Sequence, residues 1–133
     1  MSDQIPASHR DLLDTAVYVQ MATHMQDGSI QVNPVWCNYD GRHILVNSAV
    51  GRVKDRNLRR NPRLTLLAVD PHNPYRWLEV RGVVEEFTEQ GADAHIDDLA
   101  ELYLGKRPYP FRQEGEVRVI YRIKALKVQA FAA

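Results

Sequence analysis

The chain of 133 residues is 44% hydrophobic and 26% charged, which excludes the disordered, collagen-like and membrane-spanning classes and fits one globular domain over residues 1–133. Seventeen basic residues balance seventeen acidic ones, so no global field draws the protein to nucleic acid or anionic lipid, and any electrostatic partner must be held by a local patch. A single cysteine, Cys37, excludes a disulfide framework and a cysteine-based zinc cluster; the opening MSDQIPASHRDLL lacks a signal-peptide layout, and a cytoplasmic location is expected.

Ser8 and Asp11, three positions apart, make a capping-box pattern for a short helix that carries Leu12 and Leu13 onto a sheet. AVYVQMAT (16–23) is a β-branched and aromatic run, and Asp27-Gly28 marks a hairpin turn before IQVNPVWCN (30–38). Asp40-Gly41 repeats that signal ahead of HILVNS (43–48), giving three antiparallel strands in a meander. Pro34 has no N–H for a ladder, which places the middle of the second strand at an edge, a bulge or beside a ligand.

Between Gly51 and Arg63 stand Arg52, Lys54, Arg56, Arg59, Arg60 and Arg63 against one acid, Asp55. Val53 and Leu58 are the large apolar residues of this stretch, which reads as a short cationic helix stopped by Asn61-Pro62. LTLLAVD (64–70) returns to strand, DPHNPY is a proline loop, and RWLEVRGVVEEF (76–87) is a long strand with Gly82 at a bulge or bend. In ADAHIDDLAELYLG, Ile96, Leu99 and Tyr103 fall at i, i+3 and i+7, an amphipathic helix with Gly105 at its C-cap. The irregular KRPYPFRQEGE precedes a last strand, VRVIYRIKALKVQAF (117–131). The chain is therefore mainly β, about six antiparallel strands with short helices in a small barrel or sandwich, and one that completes its burial by dimerising.

His9, His24, His43, His72 and His95 show no metal-ligand spacing, so no metal is expected. No nucleophile elbow, Walker loop or G-x-G-x-x-G is present, and Cys37, beside Trp36 in a strand, reads as a buried hydrophobe rather than a nucleophile. No catalytic residue is named on this basis. The basic helix is different: its N-terminal end, near Ser48 and Gly51, would present backbone N–H groups with Arg52 and Lys54 at hand for a phosphate. The alternative for it is a solvated helix face.

The run from Val32 to Glu86, VNPVWCNYDGRHILVNSAVGRVKDRNLRRNPRLTLLAVDPHNPYRWLEVRGVVEE, resembles the pyridoxamine 5′-phosphate oxidase-like split-barrel flavin-binding superfamily, especially its branch of small coenzyme F420-dependent oxidoreductases. Four features carry the likeness, which extends over residues 16–87: P-V-W before the YDG turn, the N-S ending the next strand, R-x-K-x-x-N-L-R-R-N-P, and R-G-V-V-E after the tryptophan-bearing strand. The resemblance implies an FMN-binding type of split β-barrel with six or more strands, and a homodimer with the cofactor at its interface. It also implies that Val32, Asn33, Pro34, Val35 and Trp36 run along the deazaflavin or isoalloxazine ring, that Asn47 and Ser48 reach the ribityl-phosphate arm, and that Arg52, Val53 and Lys54 grip the phosphate. Asn57 and Leu58 brace the helix, Arg59 and Arg60 with Arg56 supply the extra charge that favours F420 over FMN, and Trp77 and Arg81 are candidates to act across the dimer seam. The chain lacks the longer tail of true pyridoxamine phosphate oxidases, which argues against vitamin B6 oxidation.

By the same resemblance the reaction is hydride transfer between the deazaflavin and an unsaturated or quinone-like small molecule. The cofactor carries the chemistry and the protein supplies placement. Tyr39, Trp77 and Tyr109 are aromatic candidates for the acceptor pocket. An FMN-binding oxidoreductase or flavin-binding protein of the same superfamily is the first alternative. The second is a small β-barrel that binds single-stranded nucleic acid, which the confinement of the basic residues to one helix and an aromatic content of 8% disfavour. A homodimer with an empty cofactor site is the third.

Overall fold

The computed structural model describes residues 4–133; residues 1–3 of the expected 1–133 domain lie outside the described residues. One 3-10 turn (Ala7–His9) leads into α1 (Asp11–Asp14), β1 (Val19–His24), β2 (Ile30–Val35), β3 (Cys37–Tyr39) and β4 (Ile44–Ala49). The chain continues through α2 (Val53–Arg60), β5 (Arg63–Asp70), β6 (Asn73–Thr88), α3 (Ala92–Leu104) and β7 (Arg118–Ala132). Both Asp-Gly pairs turn the chain as expected. Gly28 and Gly41 take φ of 89° and 93°, and the preceding aspartates accept backbone N–H bonds from Ser29, Arg42 and His43 that close each turn.

All neighbouring strands are antiparallel, in the order β2-β1-β5-β6-β7-β4-β3. β2 and β3 therefore stand at opposite edges, although Trp36 alone separates them in the chain. Laid flat, seven strands at about 4.8 Å spacing would hold those edges about 29 Å apart, whereas the step from Val35 to Cys37 spans at most about 7 Å. The sheet must curl until its edges meet, and the result is a split barrel. This corrects the expected meander: the 30–38 run is two strands, the first paired with β1 and the second with β4. Pro34 sits on the edge strand opposite Gln20, where its missing N–H costs no ladder bond.

Alternate residues point inward. Val19, Met21, Ile44, Val46, Leu66, Leu78, Tyr121 and Ile123 meet in one core, sealed by Leu12 and Leu13 from α1 and Leu58 from α2. Each such aliphatic side chain contributes about 1.5–3 kcal/mol on burial. The leucines of α1 pack as the sequence implies, but the capping box does not form. Arg10 holds the N-cap position with no side-chain bond, and the Ser8 hydroxyl bonds instead with the His9 ring. Gly82 marks a register shift in β6, where a Cβ would come within 2.7 Å of the Lys124 carbonyl oxygen; the close approach of β7 excludes any larger residue. None of the described helices is long and apolar enough to cross a membrane.

Candidate cofactor site

The edges of the sheet meet without a continuous ladder. The Tyr103 hydroxyl, from α3, ties one edge strand, β3, to the segment just before β1, accepting the Cys37 N–H at 3.0 Å and donating to the Val17 carbonyl at 2.8 Å. Trp36, which enters neither ladder, stacks on Tyr103 with centroids 5.3 Å apart and meets the edge of Tyr109 at 6.0 Å. Beside this seam opens a cleft of about 200 Å³. Tyr18, Pro34, Val35 and Trp36 form one wall. Ile96, Tyr109 and Phe111 complete the apolar lining, and Asn47, Arg52, Lys54 and Arg118 make its polar part. One part of the lining is thus flat and apolar, another cationic.

The cationic end is rigidly built. Arg118 opens β7 with its side chain only 2% exposed. Its Nε donates to Asn47 Oδ1 at 2.9 Å, its guanidinium pairs with the Glu116 carboxylate, and it lies 5.1 Å over the Tyr109 ring. Asn47 in turn donates to the Ala92 carbonyl at 2.9 Å and to His95 Nδ1 at 3.0 Å, leaving His95 Nε2 to donate to Asn38 Oδ1 at 2.7 Å. Burial pushes the His95 pKa down to about 4, so the ring is neutral at pH 7, as this tautomer requires. With its amide fully used, Asn47 holds Arg118 in place.

Lys54 has no anionic partner among the described residues. Burial first, then the charges of Arg52 and Arg118, pull its pKa down to about 8. Three cations face one carboxylate here, an arrangement that an added anion relieves. The N-terminus of α2 adjoins it with no side chain capping its free N–H groups. Cys37 is fully buried, and burial raises its thiol pKa to about 12, so it offers no thiolate. Among the described residues no group of three or more His, Cys, Asp or Glu is placed to hold a metal ion.

The family model for pyridoxamine 5′-phosphate oxidase matches residues 5–132. The chain belongs to this family. A solved structure named F420 reductase is 33% identical to this pyridoxamine 5′-phosphate oxidase family member, covering 94% of this chain and 98% of that one with a TM-score of 0.85. A conserved hypothetical protein from Mycobacterium tuberculosis is 26% identical over 98% of this chain and 86% of that one, with a TM-score of 0.76. A putative pyridoxamine 5′-phosphate oxidase from Listeria innocua, 17% identical over 85% and 86% of the two chains at a TM-score of 0.63, shares the fold. No curated protein matches the chain.

Of the residues the sequence singled out, this family member brings Pro34, Val35, Trp36, Asn47, Arg52 and Lys54 together at the cleft. Val32 and Asn33 lie further along the same edge strand, Val32 on its exposed face. Ser48 shares the inward face of β4 with Ile44 and Val46, is fully buried, and stands outside the cleft lining. The Gly51 N–H is also committed, donated to Asp55 at 3.0 Å. Asn57 braces α2 as expected, donating to Thr23 Oγ1 at 3.1 Å, while Val53, the first residue of α2, is partly exposed outside the cleft lining. Arg59 pairs with Asp55 at 2.9 Å and covers the Phe87 ring, Arg60 bonds the neutral Asn57 side chain and the His24 carbonyl and keeps its charge, and Arg56 is exposed; none of the three lines the cleft. Trp77 stacks on Phe131 and Arg81 pairs with Glu79, both on the outer face of the sheet. Tyr39, tied to the Gly41 carbonyl and covered by Arg10, is likewise outside the cleft, whereas Tyr109 lines it. Sequence reasoning missed Tyr18, Ile96, Phe111 and Arg118. The one available signal for Arg118 was the Glu116 counter-charge two residues earlier.

Proposed function

We propose that this protein is an F420-dependent oxidoreductase that transfers a hydride between the deazaflavin and an unsaturated or quinone-like small molecule. The observation that carries this reading is the unneutralised Lys54, grouped with Arg52 and Arg118 at one end of an otherwise apolar cleft; the likeness to the F420 reductase supports the choice of coenzyme. When bound, the coenzyme supplies the hydride chemistry. Pro34, Val35 and Trp36 provide an apolar wall for a planar ring, and Lys54, Arg52 and the N–H groups opening α2 receive a phosphate. Tyr109 and Phe111 exclude water from the space beside the ring, where an acceptor stacks. Arg59 is neutralised by Asp55, and Arg56 and Arg60 keep their charge outside the cleft lining; with none of the three at the cleft itself, FMN is kept as the alternative coenzyme. Fluorescence titration of the purified protein with F420 and with FMN decides: tight F420 and weak FMN binding is expected, and the reverse order moves the protein to the flavin side.

The pH dependence of that titration is a second expectation. Lys54 in the free protein loses its proton near pH 8, and a bound phosphate favours the charged form. Affinity is therefore full below about pH 8 and falls as pH rises, by up to roughly tenfold per unit while binding must reprotonate Lys54. Stability of the free protein runs the other way. The folded pKa lies below the ordinary 10.5, so the unfolded chain binds more protons between about 8 and 10.5, and stability rises with pH through that window. A pH-independent F420 affinity from about 7 to 10 would remove Lys54 from the phosphate site.

A homodimer completes the site. The cleft of about 200 Å³ is small beside the ~300–1,000 Å³ of ordinary ligand pockets. Its Pro34 wall continues into an outer sheet face where Ile30, Val32, Leu67 and Phe131 are 53%, 59%, 36% and 43% exposed. Trp77 and Arg81 lie on that face, positioned to serve the second copy's cleft. Val32→Arg is expected to shift the protein to monomer in sedimentation equilibrium and to weaken coenzyme binding at least roughly tenfold. A wild type that is monomeric at micromolar concentration would overturn the dimer.

A further inference from the structure

Among the described residues, Glu116 is the carboxylate that pairs with cations of the cleft; it stands behind Arg118 and Arg52, in the lining of the adjoining pocket rather than of the cleft itself. Its side chain is 6% exposed, and Oε1 pairs with Arg118 while lying 3.9 Å from Arg52. Oε2 accepts the Gln113 N–H at 3.0 Å, and the Glu116 N–H returns to the Gln113 carbonyl at 3.2 Å, so the turn 113–116 fixes the carboxylate in position. Burial acts to raise its pKa, but the Arg118 and Gln113 hydrogen bonds outweigh burial and keep it ionised.

The consequence is electrostatic. Arg118 is already neutralised by Glu116, Arg52 is shared, and Lys54 is the cation left uncommitted. A phosphate entering here is drawn by Lys54 and Arg52 and repelled by Glu116 at the same time. A phosphomonoester carries about −1.5 to −2 near pH 7, whereas a phosphodiester carries one negative charge. Every added unit of ligand charge meets the same fixed carboxylate in a partly desolvated site, where screening is weak. We propose that Glu116 is a specificity-determining residue, weakening the hold on a dianionic phosphomonoester relative to a monoanionic phosphodiester. The inference rests on the reading that the coenzyme phosphate sits beside Lys54.

The test compares affinities for F420, which presents a diester, and FMN, which presents a monoester, with riboflavin as the phosphate-free control. Glu116→Gln keeps an oxygen for Arg118 but removes the charge. It is expected to tighten FMN relative to F420 by roughly fivefold, the size of effect one extra charge several ångströms away has at an effective dielectric of about 60, between protein surface and water. Riboflavin affinity should not move, and Glu116→Asp, which retains the charge, should keep the wild-type FMN-to-F420 ratio. Glu116→Ala is the second charge-neutral variant, and whichever of the two has wild-type circular dichroism decides. A merely structural role for Glu116 would shift all three ligands together. An FMN-to-F420 ratio unmoved in the folded neutral variant overturns the role of Glu116 alone, whereas failure of the wild type to bind either coenzyme overturns the coenzyme reading with it.

Discussion

Lys54→Glu is expected to weaken F420 binding by about 2 kcal/mol or more, roughly thirtyfold in Kd, with the fold retained. Lys54 makes no ion pair with any described residue and tolerates its neighbours Arg52 and Arg118 at the expense of a pKa near 8. Substitution therefore breaks no ion pair among the described residues. It removes one attractive charge from the phosphate and adds a repulsive one, while the new carboxylate finds Arg52 and Arg118 close by. Isothermal titration of the folded variant at about pH 7 checks this, and an unchanged Kd would show that the coenzyme phosphate lies elsewhere. The acid is also expected to stabilise the free protein by relieving cation crowding, so a loss of binding accompanied by a higher Tm is the combined signature.

Asp55→Ala should act on the fold rather than on the ligand. Its carboxylate is 1% exposed and accepts three hydrogen bonds: from Gly51 N–H at 3.0 Å, Tyr121 hydroxyl at 2.8 Å and Arg59 Nε at 2.9 Å. It thus ties the turn before α2, the helix itself and the first part of β7 to one point inside the barrel. Truncation orphans a buried phenol and a backbone N–H and leaves a cavity, which together cost about 3 kcal/mol. Arg59 adds little to that sum because its side chain is 42% exposed and water replaces its partner. Urea denaturation measures the loss; a change below about 1 kcal/mol would mean that the Tyr121 hydroxyl finds water in place of Asp55. Since the same tie aims the start of α2, coenzyme affinity is expected to fall as well, without the pH signature of Lys54.

The residues that were legible in advance are those whose signals are short-range. Asp27-Gly28 and Asp40-Gly41 turn the chain because an aspartate side chain closes a turn and glycine takes a positive φ wherever such a pair occurs. Pro34 announced an edge because a ladder needs its missing N–H, and Ile96, Leu99 and Tyr103 gave α3 through their spacing. The cationic stretch was read as a helix, and its first two basic residues, Arg52 and Lys54, do line the cleft.

Charge counting carried less far. Arg52, Lys54, Arg59 and Arg60 look alike in the sequence, yet Arg59 and Arg60 bond Asp55, Asn57 and the His24 carbonyl outside the cleft lining, and the third cation of the site, Arg118, comes from a strand more than fifty residues later. Ser48 lies outside the cleft lining for a simple reason. One position along a strand reverses the face a side chain takes, and a strand end gives no sign of which face meets the ligand.

The sequence by itself determined the local conformations, the antiparallel character of the strands, the edge position of Pro34 and the location of a cationic helical segment, because each depends on backbone sterics and side chains within a few residues. Only the tertiary structure decided that the 30–38 run breaks at Trp36 to serve both edges of one sheet, and that Tyr103 ties Cys37 to the segment before β1. The same holds for Asn38, His95 and Asn47, which meet to hold Arg118 against Glu116. Those outcomes follow from closing a seven-stranded barrel, where the free energy comes from packing among residues distant in the chain and no short stretch carries a record of its partner.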